Sequence, residues 1–281
     1  MMEEADNHSQ AERFLRKMNM AFQLLTDEQW FDHVVSDFQV PTEDVQTGTV
    51  GRAGLPVLRD GFLFWQFARQ MLQQHGNGLS GDTKVMDFGC AWGRILRFWL
   101  KDVPRSNLYG FDVQERLLAF ARQHVAGCHY SVSDPFPPIH AENNTFDMIY
   151  AFSVFSHLPA NVADQWIDEF ARVLKPGGIA CLTTRPRAHI DRPSTKAAKE
   201  SKAGAFSAMY SAREENLKRY DAGEFIYYPG GSAGELSAET YGEAVIPEAY
   251  ARKNWQSLEL VGFFENYTQA YMQPCFVLRK T

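Results

Sequence analysis

From Val85 onward, short apolar runs alternate with longer amphipathic ones, and this alternation restricts the chain to very few architectures. The short runs are "KVMDF" (Lys84 to Phe88), "NLYGFDV" (Asn107 to Val113), "HYSV" (His129 to Val132), "FDMIYAF" (Phe146 to Phe152) and "GIACLTT" (Gly178 to Thr184), and each reads as a short buried strand. Between them, "GRILRFWLKDV", "QERLLAFARQHV" and "PANVADQWIDEFARVLKPGG" place apolar residues three and four apart, which is helical spacing. In the last of these, Trp166, Ile167, Phe170, Val173 and Leu174 share one face, Pro159 sits where a first-turn proline is tolerated, and Lys175 to Gly178 end the helix. Strand, helix, strand repeated in this way predicts an α/β protein with a mostly parallel sheet covered by helices on both faces.

The flanks depart from this pattern. Upstream, Ala11 to Phe38 and Phe62 to Gln74 look helical, separated by a stretch from Pro41 to Pro56 that contains glycines, and they read as a cap over the sheet edge. This divides the chain into an N-terminal helical cap (1–75) and a main domain (76–281), with 185–240 as an insertion after the fifth strand. A connection of that length inside a compact domain is usually functional or disordered. Pro247 to Trp255 then reads as a helix, and "LELVGFF" and "CFVLRK" as two closing strands.

The net charge of -6 argues against general binding to nucleic acid or to an anionic membrane surface. Residues 1–50 carry ten acids and three bases, whereas residues 185–220 carry nine bases and four acids, which hints at an anionic ligand beside a solvated-helix explanation. The expected location is cytoplasmic, since no apolar run reaches membrane-spanning length and the opening residues lack the apolar segment of an export signal. Cys90, Cys128, Cys181 and Cys275 stand singly, so neither a disulfide framework nor a metal site is expected.

In an open parallel sheet, ligands bind beyond the carboxyl ends of the strands. The sequence puts acidic and glycine residues at those ends. Asp87, Gly89 and Gly93 close the first strand, Asp112 the second and Asp134 follows the third, while Ser153 to His157 follow the fourth. Gly89 permits a tight turn, Gly93 a close approach at the start of the next helix, and that helix N-terminus offers N–H groups to an anion. A lone glycine turn is weak evidence. Three acids at successive strand ends, spaced as β-α units require, are much stronger.

Here the chain resembles the class I S-adenosylmethionine-dependent methyltransferases. The resemblance runs through "VMDFGCAWG", "YGFDV", "FDMIYAFSVFSHL" and "ARVLKPGGIACLTT", covering roughly Val85 to Thr184, with a looser likeness in "YGEAVIPEAYARKNW" and "CFVLRK". It implies a Rossmann-like seven-stranded sheet and S-adenosyl-L-methionine as cofactor. Nicotinamide-binding proteins share the first two motifs but lack the Lys-Pro-Gly-Gly segment. Carried over position by position, the resemblance implies that Gly89 and Gly93 wrap the methionine moiety beside Cys90 and Ala91, and that Asp112 holds the ribose hydroxyls with Val113 against the adenine. Asp134 would accept from the adenine amino group with Pro135 or Phe136 on the ring, Phe152 and Ser153 would lie beneath the sulfonium, and Asp87 would fix the turn. Ala91 replaces the family's middle glycine, a departure tolerable if its backbone keeps negative φ.

The function expected from this is methyl transfer to a small-molecule acceptor by in-line displacement, with the cofactor carrying the activated group and the protein orienting it. His157, on the rim after the fourth strand, is the candidate general base. Tyr227, Tyr228 and Tyr241 are candidates for the acceptor pocket, Arg94 for a carboxylate contact, and Arg97 is expected on a solvated face. The sequence carries no Asn/Asp-Pro-Pro-Tyr/Phe segment after the fourth strand, which disfavours amino-group acceptors in nucleic acids or proteins. The alternatives are a non-catalytic S-adenosylmethionine-binding sensor or assembly protein on the same fold, and aminopropyl transfer, which the basic 185–220 segment disfavours. The acceptor and the oligomeric state are not legible.

Overall fold

The computed structural model describes residues 21–190, 204–230, 236–237, 239–265 and 273–281. Helices α1 (Asp27–Asp37), α2 (Glu43–Val50) and α3 (Leu55–His75) precede β1 (Val85–Phe88). Next come α4 (Leu96–Trp99), β2 (Leu108–Asp112), α5 (Glu115–His124), β3 (His129–Val132), β4 (Phe146–Ala151), α6 (Ala160–Val173) and β5 (Leu174–Thr183). The C-terminal part holds α7 (Arg187–Ile190), α8 (Gly204–Ser211), α9 (Arg213–Asp221), β6 (Ile226–Pro229), β7 (Gly242–Val245), α10 (Glu248–Asn254), β8 (Glu259–Phe264) and β9 (Cys275–Arg279).

Seven strands form one sheet in the order β3-β2-β1-β4-β5-β9-β8, with β9 antiparallel to both neighbours and the other pairs parallel. Because successive strand residues point to opposite faces, the apolar runs feed two cores. Val85, Met148, Tyr150, Cys181 and Val277 face one cluster, whereas Met86, Ile149, Ala151, Leu182 and Leu278 face the other. The second core is closed by α6, whose Val162, Trp166, Ile167, Phe170 and Val173 are buried on it. Each such side chain removed from water contributes about 1.5–3 kcal/mol, which fixes the helix against the sheet. β3 differs from its buried reading: His129, Ser131 and Val132 are exposed, because the strand lies at the sheet edge with only β2 beside it.

The N-terminal helices pack on a face of the sheet, not over its edge. Trp30, Phe62, Phe64 and Trp65 belong to the same core as Val85, Met148 and Tyr150, and the Phe64 ring meets Tyr150 at 5.7 Å between centroids. α1 starts from a capping box in which the Gln29 N–H donates to Thr26 Oγ1 and the Thr26 N–H donates to Gln29 Oε1. α3 begins at Leu55, seven residues before the expected Phe62, with Pro56 in its first turn. The stretch read as a connection contains α2, which ends at Gly51 with φ 75°. The expected helical residues before 21 lie outside the described ones, as do 191–203 and 231–235 of the insertion.

β6, in the described part of the insertion, pairs with β7 just beyond it in a small antiparallel sheet. Three of the insertion's basic residues are paired with acids beyond the basic window: Arg185 with Glu243, Arg187 with Asp221 and Arg219 with Glu224.

Candidate active site

A cavity of about 190 Å³ opens at the carboxyl ends of the parallel strands. β1 and its turn supply Asp87, Gly89, Cys90 and Ala91; the end of β2 supplies Asp112 and Val113. Asp134 and Pro135 line it after β3, and Phe152, Ser153 and His157 after β4. Gly93 is not among the lining residues. Its φ is +72°, and a Cβ there would meet the Tyr130 hydroxyl at 3.4 Å and Ala121 at 3.6 Å, so this glycine lets the turn pack on α5 and β3. The helix expected at Gly93 starts only at Leu96 and runs four residues, and the turn's N–H groups are used within the fold: those of Gly89 and Cys90 donate to the Phe111 carbonyl and that of Gly93 to the Cys90 carbonyl. Phe136 is 42% exposed and Pro135 takes the lining position.

Ala91 adopts φ 48°, contrary to the negative φ expected of an alanine in that position. Its N–H donates to Asp112 Oδ2 at 2.8 Å, while Asp112 Oδ1 accepts the Gln114 N–H at 2.8 Å. One carboxylate thus ties the first turn to the second strand end and still has lone pairs for further donors. Gly89 has φ +77°, and a Cβ there would overlap Val154 Cγ2, so the position excludes any side chain. Ser153 is the second non-glycine lining residue in the left-handed region, at φ 64°. The Ser153 N–H donates to Thr183 Oγ1 at 2.7 Å, Thr183 Oγ1 donates to Gln273 Oε1 at 2.6 Å, and Gln273 Nε2 donates to Ser153 Oγ at 3.0 Å. Such closed networks hold backbone conformations that cost about 1–3 kcal/mol each.

Burial pushes the Asp87 carboxyl up to about 8, against the lowering influence of the Tyr150 hydroxyl and the Arg94 guanidinium. Burial also raises Asp112, opposed by its backbone N–H donors, and lifts the Cys90 thiol well above its ordinary range, which makes Cys90 a packing residue. Arg94 lines the cavity, its Nη1 donating to the Val57 carbonyl at 3.0 Å and its guanidinium 5.0 Å from the Phe152 ring centroid. Arg97, expected on a solvated face, is fully buried: it donates to the carbonyls of Gly93, Gln39 and Trp92 at 3.1, 3.1 and 3.3 Å. It therefore ties the first turn to the N-terminal helices.

His157 is held by the hairpin of β6 and β7. Its Nδ1 lies 2.8 Å from the Gly242 carbonyl oxygen, and its own carbonyl accepts the Gly242 N–H at 2.9 Å. Since a carbonyl can only accept, Nδ1 carries the hydrogen and the lone pair is left on Nε2. The Tyr241 ring stacks on the imidazole at 4.6 Å and 7°. Burial, and then the Arg185 charge, push His157 down to about 3, so the ring is neutral across physiological pH. Tyr241 lines the cavity, but Tyr227 packs in the second sheet core and the Tyr228 hydroxyl bonds Asn216 at 3.0 and 3.1 Å.

Sequence reasoning missed Gly48, Thr49 and Val50 of α2, and Leu236 and Thr240 of the insertion, all of which line the cavity. For α2 a signal existed: Thr42 followed by Glu43 and Asp44 is an N-terminal helix signature, and Gly51 a stop.

Residues 85–178 match a family model described as a methyltransferase domain, and the sheet order and these motifs agree with the fold of the class I S-adenosylmethionine-dependent methyltransferases. Among curated relatives it is 31% identical over 109 residues to a malonyl-[acyl-carrier protein] O-methyltransferase of Enterobacter lignolyticus, covering 36% of this chain and 39% of that one. It is 26% identical over 182 residues to a trans-aconitate 2-methyltransferase of an Acidovorax species, covering 62% and 59%. The chain thus spans about two fifths of the length of the first of these relatives. Among solved structures, S-adenosylmethionine-bound CalS10, an amino pentose methyltransferase from Micromonospora echinaspora, aligns with a TM-score of 0.51 at 13% identity over 86% of this chain and 99% of that one, a likeness of fold. Among the described residues, no helix is long and apolar enough to cross a membrane.

Proposed function

We propose that this protein binds S-adenosylmethionine in the cavity and transfers its methyl group to a small anionic acceptor. The observation that carries the reading is the convergence of the turn at Gly89, the carboxyls of Asp112 and Asp134, and the neutral His157 on one cavity at the strand ends. Asp112 holds the ribose hydroxyls with the lone pairs its two backbone donors leave over, and Asp134 and Pro135 take the adenine with Val113. Gly89, Cys90 and Ala91 present backbone to the methionine moiety, and a Cβ on Gly89 would overlap Val154 on the cavity wall. Phe152 and Ser153 lie under the sulfonium.

The bound cofactor supplies a methyl carbon activated on sulfonium sulfur, whose carbon–sulfur bond breaks with its electron pair on sulfur as the acceptor bond forms. The protein orients the two reactants and excludes water, contributions worth on the order of 7–11 kcal/mol in the best intramolecular models. His157 receives the acceptor's proton at Nε2, the nitrogen that its Gly242 bond leaves free to accept. The acceptor side is formed by α2, the insertion and Arg94. Arg94 on the wall, together with the printed names of the malonyl and trans-aconitate relatives, supports an acidic small molecule with an oxygen nucleophile over nucleic acid. The compartment in keeping with this reading is the cytoplasm. Incubating the full chain with methyl-labelled S-adenosylmethionine and a fractionated acidic metabolite extract should move label into a small acidic product. Cofactor binding without transfer to any fraction would contradict the enzymatic reading in favour of a sensor.

A further inference from the structure

His157 has a charged neighbour that the cavity lining does not include. Glu243 lies one residue beyond the Gly242 carbonyl that accepts from the imidazole, and its Oε1 is 3.7 Å from His157 Nδ1. Its other oxygen is in ion-pair contact with Arg185 Nη2, just after β5. Glu243 is only 7% exposed. Two backbone bonds lock β7 to the loop after β4: the Gly242 N–H donates to the His157 carbonyl at 2.9 Å and the Ala244 N–H to the Ser156 carbonyl at 2.8 Å. A side chain at Gly242 would overlap the Tyr228 carbonyl, so β7 packs closely on β6 at the residue that bonds the histidine. The groups facing the imidazole are thus Tyr241 and Glu243 from the hairpin, Arg185 from the end of β5 and Ser156 from its own loop.

A neutral imidazole in such a place can accept a proton only if the resulting cation finds compensation, because a buried unpaired charge is strongly disfavoured. Arg185 opposes that cation; Glu243 is the one acidic side chain in this group that offsets it. We propose that Glu243, held in place by Arg185, is a positioning residue that supplies the counter-charge when His157 takes up a proton, so that the hairpin of β6 and β7 completes the site electrostatically. In the resting protein burial pushes the Glu243 carboxyl up to about 7 while the Arg185 pair opposes that rise, so a second cation beside it favours the carboxylate form. As the acceptor's proton arrives on Nε2 and the ring becomes cationic, the carboxylate 3.7 Å from Nδ1 is shared between the two cations. The inference rests on reading His157 as the proton acceptor in the proposed function.

Diethyl pyrocarbonate tests it without knowing the acceptor. The imidazole lone pair attacks one carbonyl carbon, a nitrogen–carbon bond forms, the bond to the bridging oxygen breaks, ethyl carbonate leaves, and the Nδ1 proton is then lost to water. Positive charge builds on the ring along the way, as it does in the proposed reaction. The rate at His157 is read by mass spectrometry of its peptide in the full-length protein, with exposed His140 as internal standard. Glu243→Gln should slow His157 modification about tenfold relative to His140, the effect of one pKa unit of lost charge stabilisation, whereas Glu243→Asp should stay within about threefold of the wild type. If Glu243→Gln does not fold, the Arg185→Gln/Glu243→Gln double variant removes both charges and leaves no unpaired cation, and its His157 should react about tenfold more slowly than that of Arg185→Gln, which keeps the carboxylate. An unchanged His157 rate in a folded variant overturns the proposal. S-adenosylmethionine titrated against the wild type reports separately on the proposed function: absent binding would remove that reading whatever the modification rates.

Discussion

Ala91 occupies the most revealing position in the site. An alanine at φ 48° stores strain of about 1–2 kcal/mol, and it does so where its N–H must point at Asp112 Oδ2, 2.8 Å away. The sequence shows the departure from a glycine pattern but not the sign of φ, because that sign is set by a hydrogen bond to a residue 21 positions on. Replacing Ala91 by glycine should relieve the strain at a smaller entropic cost in the unfolded chain. The expected result is a gain of about 0.5–1 kcal/mol in denaturant unfolding with cofactor affinity little changed; destabilisation would mean the left-handed conformation is not imposed by the Asp112 contact. Ser153, at φ 64°, is held by Thr183 and by Gln273, the latter 120 residues away, and no local pattern announces it.

At the scale of elements, what could be read from the sequence follows burial. β1, β4 and the part of β5 from Ile179 are legible because their residues are buried on both faces and mostly apolar, and α6 because one face is apolar at helical spacing; Leu174 to Gly178, expected to end that helix, open β5 instead. β6 and β7 escaped because β7 is fixed by main-chain bonds to Ser156 and His157, a pairing that no periodicity encodes. The same pairing explains why His157 could be named as a candidate but its environment could not. That environment has a consequence for stability. The folded protein holds His157 down to about 3, whereas the unfolded chain titrates near 6.5, so between those values the unfolded state binds more protons. The contribution is therefore complete above about pH 6.5 and is lost as pH falls toward 3. Between pH 8 and pH 5 the wild type should lose about 2 kcal/mol that His157→Gln does not, as measured by urea unfolding at both values. Equal losses in the two proteins would place His157 in an ordinary, solvated setting.

Across the whole molecule, the sheet makes a common support for parts the sequence presents as separate. The N-terminal helices share a core with β1 and β4, Arg97 binds them to the cofactor-side turn through Gln39, and α2 contributes Thr49 and Val50 to the cavity wall. The insertion reaches the same cavity through Leu236 and Thr240, and Tyr241 follows directly after it. Strand ends that recur in order through the chain and segments outside the alternating pattern thus line one cavity, the former on the side proposed for the cofactor and the latter on the side proposed for the acceptor. The account depends on Asp112 serving as the shared anchor of turn and ligand. Calorimetric titration of S-adenosylmethionine into the full chain and into Asp112→Ala tests it most directly. One site should be found in the wild type and an affinity weaker by about 1.5–3 kcal/mol in the variant, the scale of hydrogen bonds to a charged group. No binding to the wild type, or equal dissociation constants for the two proteins, would contradict it.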